Sequence, residues 1–261
     1  SVNITRDVYK CWICDARGRS IRRVIRRFGD FKQLKKWDDV SGRVNLSEFD
    51  SLFEETEETE NEVILDLPKE FMSLANRNGS LTSQPAKKYL RNRGISKADI
   101  LKWKIGYASC GPYENRIIVP SFNMNGELNY FVARAYNGNF RKYMNPSASR
   151  DICFNELYVD WDTDLIIVEG IFDAFVAGNA VPILGSSLRK NSKLIKRIIE
   201  NDTPVYIALD ADAEKKAAKI VKTMLQCDIE LYKINVSGYE DVGSMTKDEF
   251  FKRKSIVSIL S

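Results

Sequence analysis

The chain has 261 residues, 44% of them hydrophobic and 29% charged, enough to bury a sizeable core in one large domain or two smaller ones. No run approaches the roughly 18 apolar residues of a membrane span, and Ser1 to Asp7 lack a secretory pattern, so membrane insertion and secretion are not expected and the cytoplasm is. There is no histidine, which removes the commonest general base and zinc ligand and leaves carboxylates, lysines, cysteines or metal-bound water to carry any chemistry.

Residues 1–46 form a basic leader that contains Cys11-Trp12-Ile13-Cys14. In it Ile21, Val24, Ile25 and Phe28 recur at helical spacing with Arg22, Arg23, Arg26 and Arg27 between them, the pattern of an amphipathic basic helix. Five cysteines, odd in number and mostly isolated, argue against a disulfide framework. Residues 47–66 carry nine acids and no base, so the formal charge of +4 conceals a balance of +13 over the rest of the chain. This stretch reads as a flexible acidic linker, and the positive remainder suits a polyanionic partner such as nucleic acid.

Residues 67–160 read as an α+β region. A helix over Ala86 to Arg93 is stopped by Gly94, and Ser96 caps a second helix running through Trp103. Strand-like runs at 116–120 and 128–134 are joined by a turn at Asn123-Met124-Asn125-Gly126. From 161 to 250 the pattern becomes βαβαβ, with strands at 164–168, 181–184, 205–209 and about 229–235 and helices near 171–178, 191–200 and 213–226. The fold class expected is α/β, a parallel sheet flanked by helices and preceded by the mixed α+β part, with a short tail at 251–261.

Two of those strands end in acids. Val168-Glu169-Gly170 is followed by Asp173 at a helix start, and Leu209-Asp210-Ala211-Asp212 closes the strand at 205–209. Ligands of parallel sheets bind at the carboxyl ends of the strands, and hard oxygen ligands there suit Mg²⁺ or Mn²⁺ completed by substrate phosphates. Alone, an Asp-x-Asp reads rather as a solvated turn with a helix cap; together with Glu169 it points to a divalent-metal site. Glu169 serves as a metal ligand or as a general base, since both roles need a carboxylate at that point.

Val168-Glu169-Gly170-Ile171-Phe172-Asp173-Ala174 with Leu209-Asp210-Ala211-Asp212-Ala213 resembles the Toprim domain of bacterial-type primases, topoisomerases, OLD-family nucleases and recombination mediators. Upstream, Tyr89-Leu90-Arg91-Asn92-Arg93-Gly94-Ile95-Ser96, Lys104-Ile105-Gly106-Tyr107-Ala108, Asn115-Arg116-Ile117-Ile118-Val119-Pro120, Ala133-Arg134-Ala135 and Lys142-Tyr143-Met144-Asn145-Pro146-Ser147 resemble, in order, the RNA-polymerase core of the DnaG-like primases. Leu184-Gly185-Ser186-Ser187-Leu188 resembles a further motif of that core. The resemblance spans about residues 84–250, and its divergence and compactness suit a bacteriophage enzyme.

This resemblance implies a DNA primase making short RNA primers on single-stranded DNA from ribonucleoside triphosphates. Glu169, Asp210 and Asp212 would hold Mg²⁺ or Mn²⁺, with Asp241 as a looser third acid where Gly243 replaces the second acid of many relatives. Arg116, Arg134, Lys142 and Asn145, with Asp173, would line a basic groove for template and nucleotide. Cys11 and Cys14 resemble half of the primase zinc ribbon, so the chain is expected to begin inside that ribbon and to bind Zn²⁺ only if the missing upstream ligands are supplied. No P-loop is present, so a replicative helicase would act as a separate partner. The alternatives are a metal-dependent nuclease of the same domain type and a non-catalytic single-strand-binding replisome protein, whose Tyr107, Tyr130, Phe131 and Tyr143 would stack bases.

Overall fold

The computed structural model describes residues 1–13, 17–41, 65–76, 81–138, 141–184, 188–210, 214–227, 229–257 and 259–260. Residues 47–64 of the acidic stretch expected as a linker, Cys14, Gly185 to Ser187 and Asp212 lie outside them; Leu65, at the end of that stretch, is described and packs on a hydrophobic cluster.

At the amino end, β1 (Val2–Asn3), β2 (Val8–Lys10) and β3 (Arg17–Arg19) make a small antiparallel sheet, followed by α1 (Ile21–Phe28) and α2 (Phe31–Ser41). The expected amphipathic helix is α1, and Ile21 is buried at its start. The Ser20 hydroxyl donates to the Asp202 carboxylate, tying this module to the carboxyl-terminal part of the chain.

The mixed region is a four-stranded antiparallel sheet in the order β4 (Met72–Ser73), β5 (Gly106–Ala108), β6 (Arg116–Phe122), β7 (Leu128–Ala135). Between β4 and β5 lie α3 (Gln84–Asn92) and α4 (Lys97–Lys102). Gly94 ends the first at φ +71°, a conformation that favours glycine. Ser96 caps the second: its hydroxyl accepts the Asp99 N–H at 3.1 Å and Asp99 returns a bond to the Ser96 N–H at 2.9 Å. Both faces of this sheet are covered. Ile117, Val119, Tyr130 and Val132 join the main core, while Ala108, Ile118, Phe131 and Ala133 pack under Leu65, Leu67 and Phe71.

The second sheet has the order β12 (Ile259–Leu260), β11 (Leu231–Lys233), β10 (Val205–Ala208), β8 (Leu165–Val168), β9 (Ala180–Pro182). The strands β8 to β11 are parallel, and β12 pairs antiparallel with β11. The helices α5 (Ile171–Ala177), α6 (Lys193–Asn201) and α7 (Glu214–Leu225) are the crossovers, and α8 (Lys247–Ser255) follows. The tail expected from residue 251 is instead part of this domain: α8 runs through it, Phe250 is buried in the core, and β12 extends the sheet. One continuous cluster joins Leu74, Leu90 and Trp103 of the mixed region to Leu165, Phe175 and Phe250, so the two parts share a core.

Candidate catalytic carboxylate site

In chain order the sheet grows from β8 outward to β9, then returns to the other side of β8 to place β10 and β11. The order therefore reverses between β8 and β10. Helices diverge to opposite sides at such a point and leave a crevice beyond the strand ends, which is where open α/β sheets bind ligands. Val168 pairs with Ala208 across it, so Glu169, one residue on, and Asp210, two residues on, stand at the same edge of neighbouring strands about 4.8 Å apart. Both are half-buried. The strands β8 and β9 are buried throughout and β10 nearly so, which holds the two acids on a rigid base.

The turn after Glu169 is fixed by Asp173. Its Oδ2 accepts the Gly170 N–H at 2.8 Å, and its Oδ1 accepts the Gly243 N–H, seventy residues away in sequence, also at 2.8 Å. Asp173 is thus less a groove-lining group than a clamp between the turn entering α5 and the 3₁₀ turn Val242–Ser244, which begins at Asp241. Asp173 is 5% exposed. Burial pushes its carboxyl up to about 6, opposed by the two amide bonds and reinforced by the nearby charges of Asp241 and Glu169. Those charges put three carboxylates in one neighbourhood, with Asp210 on the next strand.

Among the described residues no three acid or cysteine side chains close into a metal cage; Asp212 lies outside them. The donor set nevertheless fits a hard divalent ion, because Mg²⁺ takes one or two carboxylates and completes its shell with waters and substrate phosphates. Of the expected zinc half-site only Cys11, half-buried at the end of β2, is described.

The cationic residues divide into two groups. Arg134 on β7 donates to the Tyr143 hydroxyl at 2.5 Å, and its guanidinium carbon lies 4.9 Å from the Phe172 ring centre. Arg93 lies at the same 4.9 Å from that ring, and Tyr89 meets it edge-on at 6.0 Å. Phe172 immediately precedes Asp173, so two arginines from the mixed region converge on the turn that bears the acids. Burial raises the Tyr143 phenol above its ordinary value, against the pull of Arg134. Lys142 is exposed beside this cluster.

Arg116 and Asn145 are engaged differently from the groove-lining role expected of them. Arg116 is 6% exposed and donates to the carbonyls of Glu114 at 3.0 Å and Arg141 at 3.2 Å. Asn145 Oδ1 accepts the Ala133 N–H at 3.2 Å. Both hold the 141–145 segment against β7, where Tyr143 pairs with Arg134. The base-stacking set expected of a scaffold protein is corrected: Tyr107, Tyr130 and Phe131 are core residues, and Tyr143 alone of the four is exposed, at 41%. Arg93 and Phe172 escaped sequence reasoning as site residues, because helical and strand periodicity carry no signal for a contact between separate elements.

The crevice at the strand-order reversal, the acids on both strand ends and the arginine-bearing antiparallel sheet packed against it lie in a fold that solved primase catalytic domains share. Solved structures bear this out. The chain superposes with a TM-score of 0.60 on a DnaG primase catalytic domain bound to single-stranded DNA, at 19% identity over 69% of this chain and 74% of that one. It superposes at 0.60 on a DNA primase domain from Pseudomonas aeruginosa, at 18% identity over 70% and 74%. The zinc-binding and RNA polymerase domains of the Aquifex aeolicus primase match 99% of this chain and 75% of that one, with a TM-score of 0.58 and 19% identity. No family model matches the chain. Among curated proteins, the DNA primase of Thermotoga maritima is 24% identical over 66% of this chain. The chain spans 38% of the length of that relative.

Proposed function

We propose that this chain is the polymerising core of a DNA primase, which joins ribonucleotides into short primers on a single-stranded DNA template. The observation that carries the reading is the placement of Glu169 and Asp210 on adjacent strand ends at the reversal point, within a fold that primase cores share. Glu169 and Asp210, with Asp212 and Asp241, would hold Mg²⁺ or Mn²⁺. Held there, such an ion would supply a lowered pKa to an attacking 3′-hydroxyl and would offset charge building on the transferred phosphoryl group.

The chain's own residues supply position and field. Asp173 keeps the Glu169 turn and the Asp241 turn at a fixed separation through its two amide bonds. Arg134 is stacked on Phe172 and bonded to Tyr143, so it presents its remaining donors at a set angle rather than sweeping through solvent. A planar guanidinium so held suits phosphate oxygens, and exposed Lys142 adds a second positive charge. Neither group reads base sequence, as a polymerase on varied templates requires. The single-stranded template, the ribonucleoside triphosphates and a helicase acting as a separate protein are the partners of this reading. Among the described residues no helix is long and apolar enough to cross a membrane.

The test is metal-dependent ribonucleotide incorporation on single-stranded DNA, with and without an annealed primer, in the wild type, Glu169→Gln and Asp210→Asn. Template-dependent extension lost by at least about a hundredfold in both variants, with unchanged thermal midpoints, is expected. Cleavage of the DNA without incorporation would instead establish a nuclease.

A further inference from the structure

One strand over from Glu169, a cleft of about 440 Å³ opens at the end of β9, a size within the range of small-ligand sites. It shares backbone with the carboxylate site. The amides of Ile183 and Leu184 donate to the carbonyls of Val168 and Glu169 at 3.0 and 3.3 Å, and both residues line the cleft. Its polar lining is Ser149, Arg150, Asp151, Arg189, Asn191 and Ser192. Arg150 and Arg189 are exposed at the rim.

Ser192 is the N-cap residue of the nine-residue helix α6, yet its hydroxyl makes no capping bond. The residue is 5% exposed, and the hydroxyl oxygen is buried without a hydrogen-bond partner. A buried hydroxyl in that state loses the bond it would make in water, so a polar partner arriving through the cleft is favoured. Among the described residues Asp151 is the only acid in the lining, and its Oδ1 is engaged by the Lys193 N–H at 3.0 Å. Two guanidinium groups, a helix amino end and an unsatisfied hydroxyl make an anion site. The apolar part of the wall, with Pro182, Ile183 and Leu194, suits a base or a sugar face.

We infer that this cleft binds a nucleotide, its phosphates against Arg150 and Arg189 and its nonpolar part against the Pro182 wall. The identity of the ligand rests on the primase reading; the site itself does not, because Glu169, Asp210 and Asp241 are not among its lining residues. The nucleotide arrives as a free triphosphate or as one unit of a strand passing the active site.

The experiment is titration of the full chain with a fluorescent guanosine triphosphate in excess chelator, so that metal-dependent binding at the carboxylates is silent. Arg150→Ala with Arg189→Ala is expected to weaken binding about tenfold or more, and Ser192→Ala about threefold. Glu169→Gln and the control pair Lys69→Ala with Lys97→Ala, which removes the same charge from exposed positions elsewhere, are expected to leave it unchanged. Competition by triphosphate and not by a short oligothymidylate identifies the free nucleotide as ligand, and competition by both identifies the strand. Unaltered affinity in the double arginine variant, or equal loss in the lysine control, would overturn the inference. Loss of primer extension with cleft binding intact would count against the primase reading alone.

Discussion

Replacing Asp173 by asparagine separates its clamp from its charge. The carboxamide keeps the size and one acceptor, so it can retain the Gly170 or the Gly243 amide bond but turns a donor toward the other. At neutral pH that loss, about 1–3 kcal/mol, is offset because the variant no longer buries a charge. Burial lifts the native carboxyl from 3.8 to about 6. The folded protein therefore holds its proton over a pH range in which the unfolded chain has released it, and stability from this group is present at low pH and declines as pH rises from about 4 to about 6. At roughly 1.4 kcal/mol per pKa unit, the wild type gains about 2 kcal/mol relative to the variant between about pH 7.5 and about pH 4.5. In thermal midpoint this is roughly 4–8 °C for a chain of this size. Paired melts of the two proteins in chelator at both pH values measure it. A gap between wild type and variant that is the same at both pH values would refute the buried, raised carboxyl.

Phe172→Leu keeps aliphatic burial but removes the ring shared by Arg93 and Arg134, and is expected to cost about 1–3 kcal/mol in denaturant unfolding. Primer extension should fall further than that loss accounts for, because Arg134 is freed from its angle; unchanged extension at full occupancy would remove the ring from any positioning role. Gly106→Ala would set a Cβ 2.1 Å from the Phe71 ring and 2.6 Å from the Met72 carbonyl. Cleavage by trypsin at Lys69 should become rapid as the 65–71 cover detaches, with about 1–3 kcal/mol lost; a resistant, fully stable variant would contradict this packing.

What the sequence disclosed and what it hid follow from the range of each interaction. The runs that become β8 and β10 are apolar throughout because parallel strands are covered on both faces, so their acidic ends stood out against them. The caps at Gly94 and Ser96 are local and were equally legible. In the antiparallel sheet, alternation misled: Tyr107 and Tyr130 face the main core while Phe131 is roofed by the segment ending at Phe71, so aromatics on both faces are dry. The same two-sided burial explains why Arg116 reads as a groove residue yet spends its donors on backbone. The Asp173 bond to Gly243 spans seventy residues and leaves no periodic trace.

That bond also bears on position 243, where the resemblance to the primases implies a second acid beside Asp241 and this chain has glycine. A Cβ on Gly243 would stand 3.0 Å from Asp173 Oδ1, tighter than an ordinary contact, and a carboxylate there would add a fourth negative charge beside Glu169, Asp173 and Asp241. The glycine therefore admits the close approach that lets a buried acid hold the Asp241 turn. Gly243→Asp, which introduces a second acid, is expected to lose about 1–3 kcal/mol through crowding and like-charge repulsion, and to extend primers more slowly at limiting Mg²⁺ than the wild type. Denaturant midpoints and initial rates across a Mg²⁺ series measure both effects. A variant at least as stable and saturating at lower Mg²⁺ would show that position 243 serves metal binding rather than the clamp.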